Sequence, residues 1–343
     1  MTEATLIQPD ELMPHAKRAA SIVEELDRIL LGRHELHRLV VTGILARGHI
    51  LLEGVPGLGK TALAKALGDI LSLELKRVQF TPDLMPGDIL GTNILQESDG
   101  GGARRLVFQQ GPVFANILLA DEINRASPKT QSALLEAMQE RAVTLLGITR
   151  PLPDPFFVMA SQNPIEFEGT YPLPEAQIDR FLFKLQVSNV DVDVLDEIIS
   201  TRRRGEAPAP RARVTHAELQ QIFATVDRIY LPKAVSRYIA RLVAATHPDG
   251  PEHTEHVAKY VSLGASPRAA IALAEAGRAE ALLSGRPTVG FDDVRRVAHA
   301  VLDHRFILGY RGRVDGITTK QIVDDLLASI DETGVRLPEG VSV

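Results

Sequence analysis

The 343-residue chain contains no cysteine. That excludes disulfides, thiol nucleophiles and cysteine-ligated zinc, and it suits a cytoplasmic protein. Positive charge is not in excess either: 38 Lys and Arg stand against 44 Asp and Glu, for a net charge of -6. No global field therefore draws the chain to nucleic acid or to an anionic membrane. Long apolar runs are missing as well. Ile117 to Ala120 is strand-length, far short of the roughly 20 residues a membrane helix needs, so no membrane insertion is expected. The opening MTEATLIQPDELMPH has no basic stretch followed by an apolar one, so no signal peptide is expected. No internal repeat of roughly 20 to 50 residues is visible.

What remains is an ordinary globular composition, 45% hydrophobic and 24% charged, with mean hydropathy close to zero. The length suffices for two domains with separate cores. Residues 16 to 31 read as an amphipathic helix with Ala19, Ile22, Val23, Leu26, Ile29 and Leu30 on one face, and a second helix is expected at 34 to 47. Short apolar strands are then expected at His49 to Glu53, Leu75 to Phe80, Asn116 to Asp121, Phe156 to Ser161 and Phe183 to Val187. Helices fall between them, one opening with Ser127 as N-cap and Pro128 in its first turn. Such alternation predicts a parallel sheet covered on both faces. Beyond Val187 only helices are expected, including one opened by the capping box Thr215 and Glu218.

Gly54-Val55-Pro56-Gly57-Leu58-Gly59-Lys60-Thr61 matches G-x-x-x-x-G-K-[ST] between a strand and a helix that continues through Ala62. Glycines let successive backbone N–H groups converge on phosphates, Lys60 would reach the β and γ oxygens, and Thr61 would offer a hydroxyl to Mg²⁺. About 60 residues later, the apolar run Ile117 to Ala120 ends in Asp121 and Glu122. At the carboxyl end of a parallel strand these would face the ligand crevice, Asp121 holding Mg²⁺ through water and Glu122 activating the attacking water. The expected ligands are ATP and Mg²⁺.

With these motifs in place the chain resembles the MoxR family of AAA+ ATPases over nearly its whole length. The likeness rests also on Phe108-Gln109-Gln110-Gly111-Pro112, Asp121-Glu122-Ile123-Asn124-Arg125-Ala126 and Ser161-Gln162-Asn163-Pro164. Glu175-Ala176-Gln177-Ile178-Asp179-Arg180-Phe181 and Gly264-Ala265-Ser266-Pro267-Arg268-Ala269 complete it. The resemblance implies a P-loop α/β domain with a parallel sheet in residues 1–200, a linker at 201–213 and an all-α lid at 214–343. It implies sensor roles for Asn163 and Arg268. It also implies an arginine finger acting on a neighbouring subunit, Arg180 with Arg125 as the rival. A homo-oligomeric ring, expected to be a hexamer, and a client complex or a von Willebrand factor A domain protein follow from the same likeness. So does a chaperone-like role in maturing or activating that partner. Alternatives are a magnesium-chelatase-like motor, a nucleic-acid-remodelling motor, or a nucleotide-gated scaffold that barely hydrolyses ATP. Residues 84–111 resemble the helix-2 insert of the clade, and 143–157, turning at Gly147, a hairpin before the first sensor.

Three features carry less. His247, His253 and His256 lie in a Pro- and Gly-containing stretch with no carboxylate or cysteine pattern to complete a metal site. The five arginines of 202–213 have no interleaved aromatics to stack bases, and an exposed linker is expected there. The tail after 333 is expected to be poorly ordered.

Overall fold

The computed structural model describes residues 6–97, 104–164, 169–202, 207–250 and 252–332. Arg203 and Arg204, the tip of the 84–111 segment and the tail from 333 lie outside the described residues. The chain divides into two compact units, Ser21–Leu219 and Met1–Ala20 joined with Gln220–Val343. This differs from a break at 201–213. The segment before Val214 is tied back onto the first unit: Arg28 donates to the Ala209 carbonyl at 2.7 Å, the Arg211 N–H to Glu25 at 2.5 Å, and the Val214 N–H to the Ile70 carbonyl at 2.7 Å.

In chain order the first unit takes in helices α1 (Pro9–Ile29, from Ser21 on) and α2 (His34–Leu45), strand β1 (Ile50–Glu53), helix α3 (Lys60–Leu71) and strand β2 (Leu75–Gln79). Next come α4 (Pro86–Leu90), β3 (Gly91–Glu97), β4 (Arg104–Gln110), β5 (Ile117–Asp121), α5 (Pro128–Glu140), β6 (Ala142–Leu145) and β7 (Ile148–Pro151). Then follow β8 (Phe157–Gln162), α6 (Glu175–Ile178), β9 (Phe183–Gln186) and α7 (Val192–Thr201). α1 begins at Pro9, earlier than the expected residue 16, and Pro14 lies inside it.

β1, β2, β5, β8 and β9 form one parallel sheet in the order β2-β5-β8-β1-β9. Every residue of β5 is buried, as are Phe157 to Ser161 of β8, so the two read as unbroken apolar runs because both faces are covered. Phe80, Leu118, Leu134, Leu135, Val158 and Phe181 share one core cluster on this sheet. The placing of the site follows from strand order. β1 and β5 both flank β8, so three chain segments that are remote in sequence end side by side.

The 84–111 segment consists of α4 and the antiparallel β3–β4 hairpin. Gly91, at φ +96°, and Gly111 sit where a Cβ would collide with the backbone of Gln109 and Ile89 respectively, which explains the glycine after Gln110. β6 and β7 form a second hairpin turning through Leu146 and Gly147, both at positive φ. Arg150 of β7 lies over the Phe108 ring of β4 at 3.9 Å, joining the two hairpins.

The second unit takes in helices α8 (His216–Arg228, from Gln220 on), α9 (Lys233–Ala244), α10 (Glu255–Tyr260), α11 (Pro267–Leu283) and α12 (Phe291–Leu302), with α13 (Tyr310–Val314) and α14 (Thr319–Ser329) closing it. The capping box at Thr215 forms: its N–H donates to Glu218 at 2.7 Å. Tyr238 and Phe291 meet edge to face at 5.5 Å in the core. The all-helical expectation needs one correction. Val261–Leu263 (β10) pairs antiparallel with Ile307–Leu308 (β11), strands too short to show any periodicity in sequence. Among the described residues, no helix is long and apolar enough to cross a membrane.

Candidate active site

The loop after β1 carries Gly57 at φ +84° and Gly59 at φ +81°, a left-handed pair that turns the chain before α3 begins at Lys60. A Cβ on Gly54 would stand 2.6 Å from the Val187 carbonyl, so β9 also demands glycine there. Lys60 is 8% exposed and donates to the carbonyls of Gly54 and Val55. Burial lowers its pKa, while the charges of Asp121 and Glu122 act in the opposite direction.

Asp121 ends β5 and accepts from Arg77 Nη2 at 2.7 Å and Nε at 3.2 Å, and from Ser161 Oγ at 2.5 Å. Glu122 occupies the left-handed region at φ 55°, a conformation rare for residues with a side chain. Its N–H donates to Ser161 Oγ at 3.0 Å, and its carboxylate accepts from Gln79 Nε2 at 2.9 Å. Arg125 Nε stands 3.3 Å from the same carboxylate. Asn163, 5% exposed, follows β8.

These segments enclose a cleft of about 420 Å³ lined by Pro56, Gly57, Gly59, Lys60, Thr61, Ala62, Arg77, Gln79, Asp121, Glu122 and Asn163. An adjoining hollow of about 380 Å³ shares Gly57, Leu58 and Gly59 and is walled by Leu30, Leu31, Val190, Leu195 and Ile198 together with the polar Arg33, Asn189 and Arg202. Arg33 braces the loop between the two, donating to the Leu58 carbonyl at 2.5 Å and the Ser188 carbonyl at 3.0 Å. At the foot of β1, Glu53 accepts from Gln162 at 2.5 Å and from Gln186, and pairs with Lys184 at 3.0 Å. Burial would raise this carboxyl, but Lys184 and the two amides outweigh it and hold it below the usual range.

Arg180 is not in the cleft. It lines a separate hollow with Ser132, Leu135, Glu136, Gln139, Glu140 and Gln177, and its buried Nε has no hydrogen-bond partner among the described residues. Arg268 belongs to the second unit, in the first turn of α11, where Pro267 follows the N-cap Ser266. The three histidines diverge: His247 to the Ala265 carbonyl, His253 to the Gly250 carbonyl, and His256 to Asp325.

Comparison with known proteins agrees with this geometry. Residues 49–183 match the model of the ATPase family associated with various cellular activities, and 253–326 match the AAA lid domain. Chaperone MoxR1 of Mycobacterium tuberculosis is 42% identical over 315 residues, covering 89% of this chain and 80% of that protein. Protein MoxR of Methylorubrum extorquens is 31% identical over 353 residues, with 96% and 98% covered. The chain belongs to the MoxR family of AAA+ ATPases.

As a MoxR-family ATPase it also matches, at 37% identity and a TM-score of 0.85, the crystal structure of a candidate ATPase from Cytophaga hutchinsonii, covering 94% of this chain and 97% of that one. Two polar residues lining the cleft escape the motif reading, Arg77 and Gln79, and Ser161, which lies in a motif stretch, has its bonds to Asp121 and Glu122 shown only by the structure. The alternation of Arg77 and Gln79 on one face of an otherwise sheet-like segment was visible in sequence. Its register, Gln79 opposite Asp121, was not.

Proposed function

We propose that the cleft binds ATP with Mg²⁺ and hydrolyses it. The reading is carried by the convergence of Lys60, Thr61, Asp121, Glu122 and Asn163 on one cleft from the ends of three adjacent parallel strands. The phosphates would lie on the N–H groups of Gly57 to Thr61 at the positive end of α3, drawing Lys60 from its carbonyl partners. The Thr61 hydroxyl and the Asp121 carboxylate are hard oxygen donors on the same cleft, a set that fits Mg²⁺. When bound, the ion would neutralise charge on the transferring phosphoryl group.

Glu122 would orient the attacking water and take its proton, and Asn163 would hold a phosphate oxygen and that water through its amide. The hollow beside Leu58, lined by aliphatic side chains and by the polar Arg33, Asn189 and Arg202, would receive base and ribose. Arg268 would sense the γ-phosphate from the lid. Glu122→Gln should abolish turnover and preserve nucleotide binding; undiminished turnover would overturn the assignment.

The relatives' chaperone name extends the proposal to assembly. AAA+ proteins generally oligomerise, and a hexameric ring in the cytoplasm would let Arg180 reach a neighbour's nucleotide. Its position outside its own cleft and its unpartnered Nε support this, whereas Arg125 is held by Glu122 of the same chain. The ring would act in chaperone-like maturation of a client complex, with a von Willebrand factor A domain protein as partner. Pull-down with the Glu122→Gln chain tests this, and recovery of no such partner would count against it.

A further inference from the structure

Arg77 and Gln79 lie two residues apart on β2, so their side chains leave the same face of the strand. The register Arg77↔Leu119 and Gln79↔Asp121 sets that face against the two carboxylates ending β5. Arg77 holds Asp121 Oδ2 with Nη2 at 2.7 Å and Nε at 3.2 Å, and the same Nη2 donates to Gln79 Oε1 at 3.1 Å. Gln79 in turn donates to Glu122 Oε2 at 2.9 Å. Ser161 closes the circuit, donating to Asp121 Oδ1 and accepting the Glu122 N–H. Asp121 and Glu122 are thus linked twice, and one of the links runs through a removable cation.

We propose that Arg77 is a resident counter-cation on Asp121 that Mg²⁺ must displace, and that the displacement also loosens the Gln79 hold on Glu122. The inference rests on the reading that Thr61 and Asp121 hold the metal. A dication with its tightly held waters needs carboxylate oxygens that are free to accept. Oδ2 already accepts two N–H groups from a guanidinium, whose charge also repels the ion. The Arg77 side chain is 51% exposed against 12% for Asp121, so it can leave while Asp121 stays. It lines the same cleft as Lys60, where phosphate oxygens would receive its fork. Once Arg77 moves, the Gln79 carbonyl loses the donor that orients the amide toward Glu122. Metal loading at one carboxylate is thereby linked to release of the Gln79 bond on the other, which keeps Arg125 as its cationic partner, and Arg77 acts as a positioning residue.

The test is a Mg²⁺ titration of the full-length chain with a non-hydrolysable fluorescent ATP analogue, read as the free Mg²⁺ giving half-maximal enhancement of binding. Arg77→Gln should lower that midpoint by about fivefold, the scale of a partly exposed ion pair, with Arg77→Lys in between. An unchanged or raised midpoint in folded Arg77→Gln would overturn the inference, since a merely structural ion pair alters thermal stability and leaves the midpoint alone. Should Arg77→Gln not fold, an unchanged midpoint in Arg77→Lys overturns it equally. Wild-type chain without Mg²⁺-enhanced binding would overturn the metal reading and this inference together.

Discussion

Ser161 donates its hydroxyl proton to Asp121 at 2.5 Å across the seam between β5 and β8, and neither side chain has much access to water. The same oxygen accepts the Glu122 N–H at 3.0 Å, so one hydroxyl fixes the Asp121 carboxylate and the left-handed backbone of its neighbour. Ser161→Ala should therefore cost about 1–3 kcal/mol of stability, the scale for a buried bond to a charged group with a donor left unpaired. Denaturant unfolding reads the first effect. Turnover should fall by about tenfold or more through misplacement of Glu122. Wild-type turnover in the alanine variant would remove Ser161 from the site's support.

Acid should destabilise the first unit in a particular window. His49 is buried, accepting the Val158 N–H at Nδ1 and facing the Met138 carbonyl with Nε2, which suits the neutral ring. Burial depresses its pKa from 6.5 to about 4. A depressed folded-state value means the unfolded chain takes up the proton first as pH falls. The contribution is complete above about pH 6.5 and is lost progressively down to about pH 4, to a total on the order of 3 kcal/mol. His37, lowered by burial against the opposing charge of Asp27, adds in the same sense. A His49→Gln variant should show a flatter stability profile between pH 6.5 and 4. An equally steep one would assign the acid sensitivity elsewhere.

In-trans action by Arg180 predicts complementation. Arg180→Ala and Glu122→Gln chains should each be inactive alone. Mixed one to one, they should recover about a quarter of wild-type turnover, because some interfaces pair an intact Glu122 with an intact Arg180. Mixtures that stay inactive despite co-assembly would refute the neighbour model.

The hollow beside the phosphate loop should decide affinity for the nucleoside half of the ligand. Leu195→Asp replaces an aliphatic contact for the base with a carboxylate that repels the anionic ligand, and the dissociation constant for ADP should rise by about tenfold. Calorimetry on ADP and on inorganic pyrophosphate separates the two halves. Equal loss for both would show that the substitution acts on the loop and not on a base pocket.

Much of the centre was legible without coordinates because its chemistry is local. The loop Gly54 to Thr61 needs glycine at positive φ and close approach, and an apolar strand followed by Asp121 and Glu122 announces itself by composition. The helix starts at Ser127 and Ser266 could likewise be read from cap and proline alone. What could not be read depends on register and on strand order. β2 is expected from sequence as one of the short apolar strands, and only its pairing with β5 turns its polar residues Arg77 and Gln79 toward the carboxylates.

By itself, then, the sequence determined the phosphate cradle, the acidic pair, the parallel sheet and the family, since each follows from residue types at fixed short spacing. Tertiary structure alone decided that β8 lies between β1 and β5, which gathers Lys60, Asp121 and Asn163 round one cleft. It also decided that Arg180 stands outside that cleft, that Arg77 and Gln79 join it, and that Ser161 supports its two carboxylate residues. Strand order and register are set by the burial of whole faces across many residues. No window of sequence short enough to carry a motif contains them.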